Sequence, residues 1–124
     1  MRKLLILFVA GISVLSVKAQ SEKIPLLFRL DDIGMCHSVN MAAKEVLETR
    51  MPVSMSVMVP CPWFTEAVEI LKQYPHVSVG IHLTLNSEWK NYRWGPVAGV
   101  TMVPSLVDSL GHFFPSRSKL FANN

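Results

Sequence analysis

Between residues 24 and 83, short apolar runs alternate with longer stretches in which apolar residues recur every three or four positions. Ile24 to Leu30 reads as a buried strand, almost wholly apolar and cut off by Asp31-Asp32 and Gly34. A helix is predicted next, because Val39, Ala42, Ala43, Val46 and Leu47 fall on one face while Lys44, Glu45, Glu48 and Arg50 fall on the other, with Ser38 as its cap. Pro52 stops it. Val53 to Val59 then alternates small polar and apolar residues as a second strand does, and Pro60 closes the run. From about Pro62 to Tyr74 the stripe Phe64, Ala67, Val68 and Leu71 predicts a second helix ended by Pro75, and His76 to Leu83 is a third strand.

Strand, helix, strand, helix, strand at this spacing predicts an α/β fold with a parallel sheet. From Asn86 onward the pattern breaks down. Glu88 to Gly99 reads as a long loop carrying Trp89, Tyr92 and Trp94, and Val103 to Phe114 accommodates a short helix or a hairpin around Leu110-Gly111.

The first residues are of a different kind. Arg2 and Lys3 give a positive start, Leu4 to Val17 is an apolar stretch shorter than a spanning helix, and Val17-Lys18-Ala19 offers small residues for cleavage before Gln20. Residues 1–19 are therefore expected to be a signal peptide, giving a secreted or periplasmic chain of residues 20–124 with no membrane attachment after cleavage. The net charge of +3 then loses its meaning, since removing Arg2, Lys3 and Lys18 from the 12 basic residues leaves them equal in number to the 9 acidic ones. No basic cluster remains that would follow a phosphate backbone, so no nucleic-acid partner is expected. Cys36 and Cys61 follow different predicted strands at one sheet edge; they form either a disulfide or two unpaired thiols, and their spacing matches no zinc or redox motif.

The candidate chemistry lies where the apolar runs end. Parallel strands bring Asp31, Asp32 and His82 to one carboxyl edge, where α/β proteins build their sites. One carboxylate and one imidazole there suit a divalent metal and leave the other carboxylate as a base. Taken singly, Asp31-Asp32 would be a solvated turn or a helix cap and His82 a structural histidine; their convergence favours a site. Arg29, within the first strand, is expected to pair with Asp31 or a neighbouring acid.

FRLDDIGMCHSVN, followed by PVSMSVMVP and then VGIHLTLNSEW, resembles the YdjC-like carbohydrate deacetylases over nearly the whole mature chain. The resemblance rests most on Asp31-Asp32-Ile33-Gly34 with Asn40 downstream, and on Gly80 to Leu85. It implies the N-terminal part of a distorted parallel (β/α) barrel, with three βα units visible, and metal-dependent removal of acetyl groups from N-acetylated amino sugars or oligosaccharides. Carried over by position, Asp31 would be the general base and Asp32 and His82 metal ligands. Oxygen and nitrogen donors admit one divalent ion, with Zn or Mg foremost. Trp89, Tyr92 and Trp94 offer aromatic faces either for sugar rings or for packing the loop against the helices.

One departure qualifies the resemblance: family members complete the metal site with a histidine well downstream of His82, in a segment this sequence lacks. His112 is read as structural and His37 as a loop residue; only a chain that bound one metal and released acetate would draw its third ligand from one of these or from a second chain. A full barrel of this type takes roughly 250 residues. The chain is accordingly read as the front portion of a longer protein, of low stability and without full activity alone, its open sheet edge a route to self-association. The rival reading is a noncatalytic glycan-binding or scaffold fragment.

Overall fold

The computed structural model describes residues 23–122, and the expected leader, residues 1–19, lies outside the described residues. Three parallel strands form one sheet, β1 (Phe28–Ile33), β2 (Val53–Val57) and β3 (Ser78–Ile81), in the order β1-β2-β3. Helix α1 (His37–Glu48) connects the first pair and α2 (Phe64–Leu71) the second; a 3₁₀ turn (Pro104–Leu106) and a short helix α3 (Arg117–Ala122) follow. No helix among the described residues is long and apolar enough to cross a membrane.

The central strand carries the core. Val53, Met55 and Val57 of β2 pack with Ala43 and Leu47 of α1 and with Ala67 and Ile70 of α2, so both helices lie on one face of the sheet. Deleting a buried side chain from such a cluster costs about 2–5 kcal/mol. The opposite face is polar and open: Arg29, Ser54, Ser56, Ser78 and Gly80 line a hollow of ≈ 320 Å³. It is the side that a (β/α) barrel turns inward, helices being outside.

Strand β1 begins later than the apolar run predicts. The ladder starts where Phe28 meets Val53, and Ile24, Leu26 and Leu27 are exposed ahead of it rather than buried. Apolarity alone does not make a strand where there is no neighbour to pair with. At its other end β1 continues through both aspartates to Ile33, but with a break in register between Leu30 and Ile33. Asp32 takes a left-handed backbone there, φ 64°. A bulge of this kind bends a strand and re-aims its side chains.

Helix α1 starts two residues earlier than the Ser38 cap implies. Cys36 occupies the N-cap position without a side-chain cap bond, and the Ser38 hydroxyl lies 3.2 Å from Cys36 Sγ. Helix α2 is shorter than the predicted stretch at both ends, residues 59–63 forming turns before it and residues 72–73 a turn after it. Beyond β3, the expected short helix and hairpin are both present in miniature, as the 3₁₀ turn and an antiparallel bridge between Val107 and Phe113.

Candidate functional site

The bulge brings adjacent carboxylates to two different partners. Asp31 Oδ1 accepts from the Ser56 hydroxyl of β2 at 2.6 Å and from Arg29 Nε at 2.7 Å. The Ser56 bond first, then the Arg29 guanidinium, holds the Asp31 carboxyl below its ordinary value. Asp31 is thus ionised at neutral pH, with both bonds converging on Oδ1. Asp32 points elsewhere: its Oδ1 lies 3.2 Å from His82 Nε2. The His82 backbone N–H in turn donates to the Val57 carbonyl at 2.9 Å, which seats the histidine just past the end of β3.

The fit to a metal follows from that distance. Two ligands each about 2.1 Å from a tetrahedral ion lie roughly 3.4 Å apart, close to the 3.2 Å Asp32–His82 separation. Carboxylate oxygen and imidazole nitrogen are also the right donor types. Asp32 and His82 therefore fit two positions of a divalent-metal site. Among the described residues no group of three or more His, Cys, Asp or Glu side chains completes it. His37 is engaged elsewhere, its Nδ1 2.8 Å from Glu66 Oε1, and His112 Nδ1 is buried without a hydrogen-bond partner.

The loops around the edge are tied down by a residue that periodicity does not single out. Asn40 is fully buried, accepts from the Gly34 N–H at 2.8 Å, and donates to the Trp63 carbonyl at 3.0 Å and Glu66 Oε2 at 2.8 Å. One amide thus fastens the turn after Asp32 to the start of α2. Gly34 itself has φ +92°, a conformation that favours glycine, and a Cβ there would stand a tight 3.3 Å from Phe64 Cα. Cys36 and Cys61 flank this turn as free thiols. Burial chiefly, with Asp32 and Cys36 adding to it, pushes the Cys61 thiol up to about 12.

The segment after His82 folds over these loops. Ser87 is fully buried; its hydroxyl accepts from the Trp94 N–H at 3.0 Å and from Arg93 Nε at 3.2 Å. Arg93 also reaches Asp108 Oδ2 at 2.9 Å and the Phe113 carbonyl, cross-linking two distant stretches of loop. Burial would raise the Asp108 carboxyl, but the Leu110 and His112 N–H groups and Arg93 outweigh it and hold it below its ordinary value.

The three aromatic candidates fare differently. Trp94, only 4% exposed, packs with Met58, Cys61 and Phe113, so its ring is core and has no free face for a sugar. Tyr92 is half-buried and donates its hydroxyl to the Met35 carbonyl. Trp89 is exposed. The sugar-stacking expectation therefore rests on Trp89 and on what remains open of Tyr92. Sequence reasoning passed over Ser56, Trp63 and Glu66; the one visible signal was the serine alternation of Val53-Ser54-Met55-Ser56-Val57, which puts Ser56 on the face away from the core.

The family model described as YdjC-like protein matches residues 25–124. A carbohydrate deacetylase of Enterococcus faecalis is 31% identical over 90 residues, covering 72% of this chain and 33% of the relative. One from Brevibacillus brevis is 34% identical over 97 residues, covering 78% of this chain and 36% of the relative. A solved structure of a proposed cellobiose-phosphate cleavage protein from Enterococcus faecalis superposes with a TM-score of 0.65 at 29% identity, over 78% of this chain and 36% of that one. The chain spans about a third of the length of the curated relatives it matches.

Proposed function

Because this chain belongs to the YdjC-like proteins, we propose that its carboxyl edge is part of a divalent-metal site for removing acetyl groups from N-acetylated amino sugars. The 3.2 Å approach of Asp32 to His82, with the ionised Asp31 next to it, carries the reading. Curated relatives called carbohydrate deacetylases support the class of reaction. Asp32 and His82 would hold the ion, with a further donor from outside the described residues. Bound there, it would polarise an amide carbonyl and acidify a water molecule.

The chain's own residues take the remaining roles. Asp31 accepts the proton of the attacking water through Oδ2, since Oδ1 is taken by Ser56 and Arg29. Water oxygen bonds to the acetyl carbon, the C–N bond breaks, and the amine leaves with a proton, giving acetate and a free amino sugar. Trp89 contributes an aromatic face for the ring. The apolar amino-terminal stretch and its small-residue end support export, so the reaction would take place in the periplasm or outside the cell.

The test is acetate release from N-acetylglucosamine oligomers with Zn²⁺ or Mg²⁺ added, comparing the wild-type chain with Asp31→Asn. Metal-dependent release lost in the variant supports the reading. Release that survives the substitution removes Asp31 as base. Metal-independent glycan binding without any release favours the alternative, a noncatalytic glycan-binding fragment.

A further inference from the structure

We propose that Trp63, His37 and Glu66 form a saccharide subsite beside the carboxyl edge, in which the Trp63 indole takes the apolar face of a pyranose ring and His37 accepts a hydrogen bond from its hydroxyl or acetamido N–H. The proposal deepens the deacetylase reading and rests on it for the class of sugar. Trp63 stands just before α2 and is 40% exposed, unlike the buried Trp94. Its ring lies 5.1 Å from the His37 imidazole at a 43° tilt, so an apolar surface and a polar group are presented side by side. That combination suits a sugar, apolar on one face and rimmed by hydroxyls.

The polar half of the subsite is held from beneath. Glu66 Oε1 engages His37 Nδ1 at 2.8 Å, Glu66 Oε2 accepts from Asn40 Nδ2 at 2.8 Å, and Asn40 is itself fully buried. The Asn40 bond first, and then His37, keeps the Glu66 carboxyl below its ordinary value, so at neutral pH it is an acceptor only. His37 Nδ1 must then carry the proton. In the neutral ring Nε2 is left as an acceptor, and its ligand must be a donor. Stability alone does not account for His37, because Asn40 already joins α1 to Glu66 and a His–Glu pair whose histidine side chain is 55% exposed adds little. The Trp63 N–H donates to the Gly34 carbonyl at 3.2 Å, so the subsite shares a backbone connection with the turn that follows Asp31 and Asp32.

The experiment is titration of the chain with the N-acetylglucosamine trimer, followed by calorimetry and tryptophan fluorescence, together with Trp63→Ala, His37→Ala and Trp89→Ala. Saturable wild-type binding weakened about tenfold or more by both Trp63→Ala and His37→Ala is expected. Absence of wild-type binding, or unchanged affinity in either of those variants, overturns the subsite. His37→Ala is decisive if Trp63→Ala does not fold, since His37 is exposed and its loss leaves the Asn40–Glu66 bond intact. Acetate release measured on the same samples separates the two ideas: impaired binding in the variants without acetate release from any form keeps the subsite and counts against the deacetylase reading. Acetate release with unchanged affinity in both variants does the reverse.

Discussion

Asp32 and His82 meet over the end of a strand that belongs to neither of them. Asp32 lies in β1 and His82 follows β3, yet β2 separates those strands and the side-chain atoms are still 3.2 Å apart. Two strand spacings amount to about 9.6 Å, so the contact requires both side chains to lean inward over Val57. The left-handed backbone of Asp32 and the bond from the His82 N–H to the Val57 carbonyl bring this about.

Metal uptake follows from that pairing. Calorimetric titration with Zn²⁺ is expected to show binding that Asp32→Ala and His82→Ala each weaken by roughly tenfold or more, as loss of a direct ligand costs no less than loss of an outer partner. Asp31→Asn is expected to leave affinity nearly unchanged, because Asp31 is committed to Ser56 and Arg29. Equal loss in all three would show that Asp31 is itself a ligand.

Asn40→Ala leaves the Gly34 N–H and the Trp63 carbonyl without their side-chain partner. A drop of about 1–3 kcal/mol in unfolding free energy, read from urea melts, is expected. Asn40→Asp is expected to be worse near pH 7, since it sets a carboxylate against Glu66 where an amide donated. Gly34→Ala is also destabilising, through its positive φ and the close Phe64 backbone. A variant at Asn40 as stable as the parent would remove it as the tie between these loops.

Stability is expected to decline in acid. The Glu66 and Asp108 carboxyls are held below their ordinary values of 4.5 and 3.8 in the folded chain. A carboxyl lowered by folding binds its proton more readily when unfolded, so its contribution is full above the ordinary value and disappears as pH falls through the folded one. Urea midpoints should therefore be level from pH 7 to about 5 and fall below that. Glu66→Gln and Asp108→Asn should each flatten the fall; a midpoint that declines equally in both variants would assign it to other groups.

The outer edge of β3 carries exposed Val79 and Ile81 beside an apolar groove of ≈ 490 Å³ lined also by Val57, Phe64, Val68 and Leu71. An edge of this kind pairs with other chains. Size-exclusion profiles are expected to shift to larger species as concentration rises, and Ile81→Lys to restore the monomer. A wild-type profile independent of concentration would count against this.

The order of elements was legible because each change of period between strand and helix is bounded by a proline, a glycine or a charge, as at Gly34, Pro52 and Pro75. Strand β1 was misplaced by several residues because its limits are set by pairing with Val53 rather than by the apolar run Ile24 to Leu27. Asp31, Asp32 and His82 were legible as a group since strand ends in a parallel sheet share an edge. The bonds Ser56–Asp31, Asn40–Glu66 and His37–Glu66 span 25 to 29 residues of sequence, and no local pattern encodes them. Trp94 shows the converse: an aromatic loop reads alike whether its rings face solvent or fill a core.

The interruption in β1 resets the phase of the strand. Phe28, Arg29 and Leu30 pair with Val53, Ser54 and Met55 at a constant offset, which falls by one residue when Ile33 meets Val57. Leu30 and Ile33 both pack against the helices although an odd number of positions separates them. A regular strand would have to surrender one of them to solvent, or turn one aspartate into the core. Looping out a single residue frees the chain from that choice, and deleting one aspartate would restore a single register with both aliphatic side chains inward, but at the cost of one of the two carboxylates at the edge.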